Sequence, residues 1–191
     1  IPVQKPVMLD SVNLNNTPNS DEMLLSFPLS FPDQERFTTE ITPDTAGFFF
    51  LQKPAQGKAF QLLSFYVSGD RYGKGKITVT SPNPLELWID NVKRATKTQA
   101  NDSLHQAGQV DANLNGFTNN ARIVIKMLTG AEDKVEPAVK ITLKPDTADS
   151  LLTYTFGNSN RRRIQIKDIL EGKRVNNAVI SPSGRFVLLS L

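Results

Sequence analysis

Cysteine is absent from all 191 residues, and histidine and tryptophan occur once each, as His105 and Trp88. Without cysteine there are no disulfides, no thiolate nucleophile and few routes to a zinc site. With one histidine, in the polar segment Asn101 to Gly108, and no Gly-x-Ser-x-Gly elbow, the pairing of nucleophile and base that covalent catalysis needs is missing. His105 therefore reads as a surface residue. No apolar run approaches the ~18 residues of a membrane helix, so no membrane span is expected. Neither charge sign dominates: 22 Lys and Arg stand against 19 Asp and Glu, and a net +3 is too small to argue for nucleic acid. The basic run Arg161-Arg162-Arg163 opens an expected strand, Arg163 to Ile166, and reads as its solvated end.

The remaining polar clusters lack the spacing of known chemistry. Gly73-Lys74-Gly75 follows no phosphate-loop pattern, and Glu132-Asp133 and Asp146 to Asp149 follow no calcium-loop pattern. Glu86 and Asp90 share a strand face, as a glycosidase pair would, but Asp90 also serves a turn. No catalytic residue, cofactor or metal site is expected.

What is present is β structure. Residues 1–40 hold Pro2, Pro6, Pro18, Pro28 and Pro32 and a polar tract from Asn13 to Asp21, which suits an extended arm with one strand at Met23 to Phe27. From Phe48 onward eight runs read as strands: Phe48–Leu51, Phe60–Val67, Lys76–Thr80, Leu85–Ile89, Val92–Lys97, Val110–Leu114, Ala121–Leu128 and Ala138–Leu143. Turn residues separate them and helical periodicity is nowhere sustained, which predicts a jelly-roll-like β-sandwich over residues 41–146.

Alternation assigns the faces. Leu85, Leu87 and Ile89 point one way and Glu86, Trp88 and Asp90 the other; Val110, Ala112 and Leu114 oppose Asp111 and Asn113; Val139, Ile141 and Leu143 oppose Lys140, Thr142 and Lys144. Each such strand is expected to lay one face on the core and wet the other. Phe60–Val67 is apolar on both faces apart from Gln61 and Ser64, which marks it as central. Asp90 and Asn91 both tolerate positive φ, so a two-residue hairpin is expected to join Leu85–Ile89 to Val92–Lys97.

Trp88 has the best functional claim, with Tyr66 and Tyr72 as flanking candidates. An exposed aromatic face stacks on the C–H groups of a sugar ring. The competing reading, and the expectation, is that Trp88 packs under a loop, on the N-terminal arm or against a following domain.

Two stretches resemble known families. Phe65 to Asp70, followed by Leu85-Glu86-Leu87-Trp88-Ile89-Asp90-Asn91-Val92-Lys93, resembles the strand and hairpin of galactose-binding-like and PA14-like sandwich modules, with Asn91 where glycine is usual. Ile180-Ser181-Pro182-Ser183-Gly184-Arg185-Phe186-Val187-Leu188 resembles the turn between strands of a β-propeller blade, with Ser183 where aspartate is usual. Together with Leu151–Phe156 and Asp168–Arg174, it looks like the propeller entry of prolyl oligopeptidase and dipeptidyl peptidase IV class serine peptidases. That resemblance implies entry strands of a propeller over residues 147–191. It also implies that the chain's partner is the remainder of a parent chain, a propeller and a hydrolase domain carrying the catalytic residues. The chain begins at Ile1 rather than methionine, which with this resemblance reads as an exported protein whose signal peptide has been removed. The functional expectation is a non-catalytic accessory region that packs on the propeller and shapes substrate access or oligomer contacts. The alternative is a carbohydrate-binding or adhesive module.

Overall fold

A computed structural model describes residues 2–3, 7–8, 21–115, 120–158, 177–181 and 187–190. The chain divides into two compact units, Ile1–Asn160 and Arg161–Leu191.

All eight expected strands form in the first unit: β4 (Phe48–Phe50), β5 (Lys58–Gly69), β6 (Lys74–Ser81), β7 (Leu85–Ile89), β8 (Val92–Lys97), β9 (Gly108–Asn115), β10 (Ala121–Gly130) and β11 (Ala138–Pro145). They build two antiparallel sheets, a β-sandwich. The smaller runs β4-β11-β6-β9. The larger has β5, β10, β7 and β8 in sequence; β1 (Pro2–Val3) and then β3 (Thr39–Glu40) extend its path beyond β5, and β2 (Val7–Met8) pairs with β5 off that path. The core lies between the sheets. Leu63, Phe65 and Val67 of β5, Ile123 and Ile125 of β10 and Leu85, Leu87 and Ile89 of β7 face Ile77, Val79, Leu114 and Val139 from the opposing layer. Each fully buried aliphatic or phenylalanine side chain contributes about 1.5–3 kcal/mol, so this layer carries the sandwich.

The sandwich crosses the expected boundaries at 41 and 146. β1 and β2 pair with the edge of β5 away from β10, at Leu63 and at Ala59–Phe60. A further strand, β12 (Tyr154–Gly157), pairs with Tyr66–Gly69 on that same edge. An edge of twelve residues presents a row of unpaired N–H and C=O groups, and three short strands from both ends of the unit cover it. Asp70 fixes the approach of β12: its carboxylate accepts the Thr153 N–H at 2.9 Å and its own N–H donates to the Thr153 carbonyl at 3.1 Å. Gly75 is the counterpart on β6, since a Cβ there would collide with the Tyr154 hydroxyl and lie 2.6 Å from the Lys144 carbonyl oxygen.

The arm also departs from expectation. The strand foreseen at Met23 to Phe27 is a one-turn helix, α1 (Asp21–Leu25), with Asp21 and Glu22 in its first turn and Leu24 and Leu25 buried. These leucines form a second apolar cluster with Phe60 and Leu128, joined by Phe27 and Leu29. Phe60 and Leu128 stand on the outer face of the larger sheet, so residues 21–37 cover the outer face of β10 and the Glu86–Trp88 face of β7, which alternation assigned to solvent.

In the second unit β13 (Asn177–Ile180) and β14 (Val187–Ser190) pair antiparallel as a sheet of two strands. The expected strand at Arg163–Ile166, the Asp168–Arg174 segment and the Pro182–Gly184 turn lie outside the described residues.

Candidate functional site

The hairpin of β7 and β8 separates two polar regions. Its turn is the expected one, with Asp90 at φ 49° and Asn91 at φ 62°, the two positive angles of a type I′ turn. Outward from β7 project Glu86 and Trp88; along the free edge of β8 lies a groove shared with β9.

On the outer face, Glu86 and Lys126 oppose each other across the β7–β10 pair. Both are buried, and their ion pair is 3.2 Å long. Every strong group there has a partner. Lys126 Nζ also donates to the carbonyls of Leu25 at 2.6 Å and Phe27 at 2.7 Å, and it lies 4.5 Å from the centre of the Phe60 ring. Glu86 accepts from Lys93 Nζ at 3.1 Å and from Trp88 Nε1 at 3.2 Å. Burial lowers the Lys126 pKa from its ordinary value, with the Glu86 charge working against the shift. Trp88 meets Phe31 edge-to-face at 5.0 Å, and Lys93 stands 5.9 Å from the ring centre. One strand over, Arg122 donates to the Pro32 carbonyl at 2.5 Å and to Ser64 Oγ at 3.1 Å. Gln34 exchanges hydrogen bonds with Ser64, at 3.0 and 2.6 Å. A cleft of about 300 Å³ remains between Trp88 and residues 26–30 of the arm.

Trp88 thus packs on the arm. Tyr66 shares its outer face, opposite Arg122 on β10. Tyr72 is exposed in the loop after β5. That loop begins beyond Gly69, five residues along β5 from the level of Trp88, a separation of about 16 Å. The three aromatic candidates do not form one platform.

The second region is a groove of about 560 Å³ at the rim, where β8 ends one sheet and β9 ends the other. Lys76, Asp90, Arg94, Asp111 and Asn113 surround it, over Ile89 and Ala112 at the margin of the core. Thr78 Oγ1 and Lys76 Nζ donate to the two oxygens of Asp111 at 2.7 and 3.3 Å. The Thr78 hydroxyl first, and Lys76 after it, hold the Asp111 pKa below the ordinary carboxylate value against the opposing effect of burial. Asp90 uses Oδ1 on the Arg122 N–H at 2.8 Å. Among the described residues no partner is present for the side chains of Arg94 or Asn113.

The other sequence candidates have structural roles. Asp133 accepts from the Gly130 N–H at 2.8 Å and Asn83 Nδ2 at 3.0 Å, and Asp149 accepts from the Lys74 N–H at 2.7 Å. His105 is exposed in a short 3-10 turn whose N–H donates to Ser103 Oγ at 3.2 Å. Among the described residues there is no group of three or more His, Cys, Asp or Glu side chains placed to hold a metal ion, and no helix is long and apolar enough to cross a membrane. Lys126 and Arg94 were not singled out from the sequence. A lysine inside the apolar run Ala121–Leu128 was the available signal for the first. For the second it was an arginine at the position a regular hairpin would aim at the core.

No protein-family model matches the chain, and no curated protein matches it. Among solved structures it is similar to the PA14 domain of the antifreeze protein MpAFP, at 16% identity over 52% of this chain and 53% of that one, with a TM-score of 0.37. The match therefore spans about half of that chain. It is also similar to a family 35 carbohydrate-binding module from an environmental isolate, at 13% identity over 56% of this chain and 86% of that one, TM-score 0.33. A third likeness, at 9% identity and TM-score 0.34, is to the GH31 α-xylosidase from Xanthomonas citri; it covers 71% of this chain and 12% of that one.

Proposed function

We propose that this chain is a non-catalytic carbohydrate-binding β-sandwich module of an exported multidomain protein, and that the rim groove between β8 and β9 is its binding site. The observation that carries this reading is the set of polar side chains around that groove, with Arg94 and Asn113 uncommitted to protein partners among the described residues. Its volume of about 560 Å³ is that of a small-molecule site. Side chains that donate and side chains that accept both line it, over Ile89 and Ala112, as a polyhydroxylated ligand requires. The Trp88 cleft supports the reading less, because the hydrogen bonds and the ring edge there are already engaged within the protein.

The test is binding of the purified chain to a panel of glycans, repeated with Asn113→Ala and Trp88→Phe. Affinity lost with Asn113→Ala and kept with Trp88→Phe supports the reading. Affinity lost only at Trp88 moves the site to the outer face, and no affinity for any glycan overturns the proposal. Turnover of aryl glycosides or proline-containing chromogenic peptides, lost with His105→Ala, overturns the non-catalytic part.

A second reading is that the chain is the accessory region of a prolyl oligopeptidase-class serine peptidase. What favours it is the pairing of β13 with β14 on either side of the Ser-Pro-Ser-Gly segment. A hairpin of two strands is marginal alone and calls for further strands to pair with. Further Ser-Pro-Asp-Gly turns and a Gly-x-Ser-x-Gly elbow in the same reading frame support it; an unrelated continuation overturns it.

A further inference from the structure

The register of the β7–β8 hairpin explains how Arg94 reaches the groove. Ile89 pairs with Val92 and Trp88 with Lys93, but Leu87 pairs with Ala95, and the register shifts at that point. Arg94 is the extra residue of a β-bulge. In an unbroken ladder it would oppose Leu87, whose side chain is wholly buried in the core. A guanidinium there would lose its water with no charge to replace it. The bulge turns Ala95 to the core instead, where it packs partly buried, and leaves Arg94 exposed on the edge strand.

The groove it enters has more donors than acceptors. Both oxygens of Asp111 are engaged, and Lys76 neutralises its charge. Asp90 has one oxygen on the Arg122 N–H. Against these stand the guanidinium fork of Arg94, the amide of Asn113 and the remaining ammonium hydrogens of Lys76. A planar fork with no protein partner is suited to bidentate pairing with an oxyanion.

Resting on the carbohydrate reading, we propose that the rim groove selects glycans bearing an oxyanion, a carboxylate or a sulfate ester. Arg94 grips that group in two parallel hydrogen bonds, Asn113 donates beside it, and Asp90 accepts from a neighbouring hydroxyl.

The test uses one polymer backbone in three forms: dextran, carboxymethyl-dextran and dextran sulfate. Binding is measured by affinity electrophoresis for the full chain and its Arg94→Ala, Arg94→Lys and Lys134→Ala variants. Lys134 is exposed and paired with Asp102, so its removal subtracts the same charge away from the groove. The expected result is binding of one or both anionic polymers about tenfold or more tighter than dextran. Arg94→Ala should lose that margin, Arg94→Lys should recover only part of it and Lys134→Ala should keep it. Preference for one anionic polymer identifies the oxyanion. Equal losses for Arg94→Ala and Lys134→Ala mean general charge attraction and overturn the proposal. Neutral glycans of the wider panel bound through Asn113, with Arg94 dispensable, overturn it and leave the carbohydrate reading standing. No binding to any glycan overturns both.

Discussion

The outer face and the rim groove hold similar side chains and treat them in opposite ways. Around Lys126 and Glu86 the protein supplies its own partners: two arm carbonyls, an indole N–H, a second lysine and an aromatic ring. Around Arg94 and Asn113 no partner stands among the described residues. A buried charge persists only where it is paired and hydrogen-bonded, so the first cluster is explained by folding alone. The second group is exposed, and a register shift that keeps the guanidinium out of the core leaves Arg94 at the rim with its donors unused among the described residues. The comparison teaches that the degree to which polar groups are internally satisfied separates latch from site better than residue type does. Trp88, the most site-like residue by type, belongs to the latch.

The largest effect expected of this contrast is on Lys126. Lys126→Ala removes three hydrogen bonds and leaves Glu86 buried with part of its pairing lost. Breaking one partner of a buried pair costs about 3–5 kcal/mol. Chemical denaturation should show that loss, with faster hydrogen exchange in Leu24 to Phe27. A loss under about 1 kcal/mol would mean the arm is held by its apolar contacts and that the ion pair is incidental.

How much of this was legible in the sequence differs between the two regions and for a physical reason. The strands were legible because alternation and turn residues are local. The hairpin at Asp90-Asn91 was legible because few residues accept two positive φ angles. The cover of the outer face was half-legible: Phe60 to Val67 is apolar on both sides, which implies something above it, but nothing local says that Leu24 and Leu25 supply it. A helix of five residues leaves no periodicity to read. The pairing of β12 with β5 joins residues more than eighty positions apart, and Leu151–Phe156 read as the entry to another domain because its local pattern is that of any short strand. The bulge was legible in principle, since counting outward from Asp90-Asn91 places an arginine opposite Leu87. The rim groove was not, because it depends on β8 and β9 closing the same side of the sandwich.

A smaller effect is expected at Trp88. Trp88→Ala removes the edge contact with Phe31 and the hydrogen bond to Glu86. Since the ring is only half-buried, the loss should be roughly 2 kcal/mol, below the ~3–5 of a wholly buried aromatic. Glycan affinity should not change once unfolded protein is accounted for. A Trp88→Ala protein of normal stability that has lost a measured affinity would reverse the assignment of latch and site.

The response to pH separates the groups by window rather than by sign, since every lowered pKa here makes stability rise with pH, at the alkaline end for the lysines and at the acid end for Asp111. Lys97, near the arm-free end of the hairpin, donates to the carbonyls of Pro82 and Asn83 at 3.3 Å and to that of Gln99, and burial brings its pKa from 10.5 down to about 8. Between pH about 8 and 10.5 the unfolded chain holds the proton that the folded one has released, so this lysine makes stability rise with pH in that window. Lys126, shifted in the same direction by burial, adds to that rise. Asp111 in the groove works at the other end. Its pKa lies below 3.8 when folded, so its contribution is present above 3.8 and is lost as the pH falls through the folded value. Thermal midpoints of wild type and Asp111→Asn should therefore agree more closely at pH 3 than at pH 6. Lys97→Met should flatten the alkaline rise. Midpoints that fall between pH 8 and 10 through wild type and Lys97→Met alike would show that global charge, not these groups, sets the profile.

The smallest stability effect is expected at Arg94, and it is the one on which the comparison turns. Arg94→Ala removes an exposed side chain with no partner among the described residues, from a bulge whose geometry is set by its neighbours' pairing. Exposed substitutions of this kind change stability by about 0.5 kcal/mol or less. Arg94→Leu goes further. If the bulge exists to keep a charge out of the core, a leucine no longer needs it, and the hairpin is free to slip into the regular register with residue 94 opposite Leu87. Slippage moves Ala95 and Thr96 to opposite faces, which amide chemical shifts and cross-strand contacts would report as a change confined to β8. An Arg94→Leu protein that keeps the Leu87–Ala95 pairing would show that the bulge is fixed by the backbone of the hairpin. The placement of Arg94 at the groove would then be a property of the scaffold that other side chains at this position would inherit.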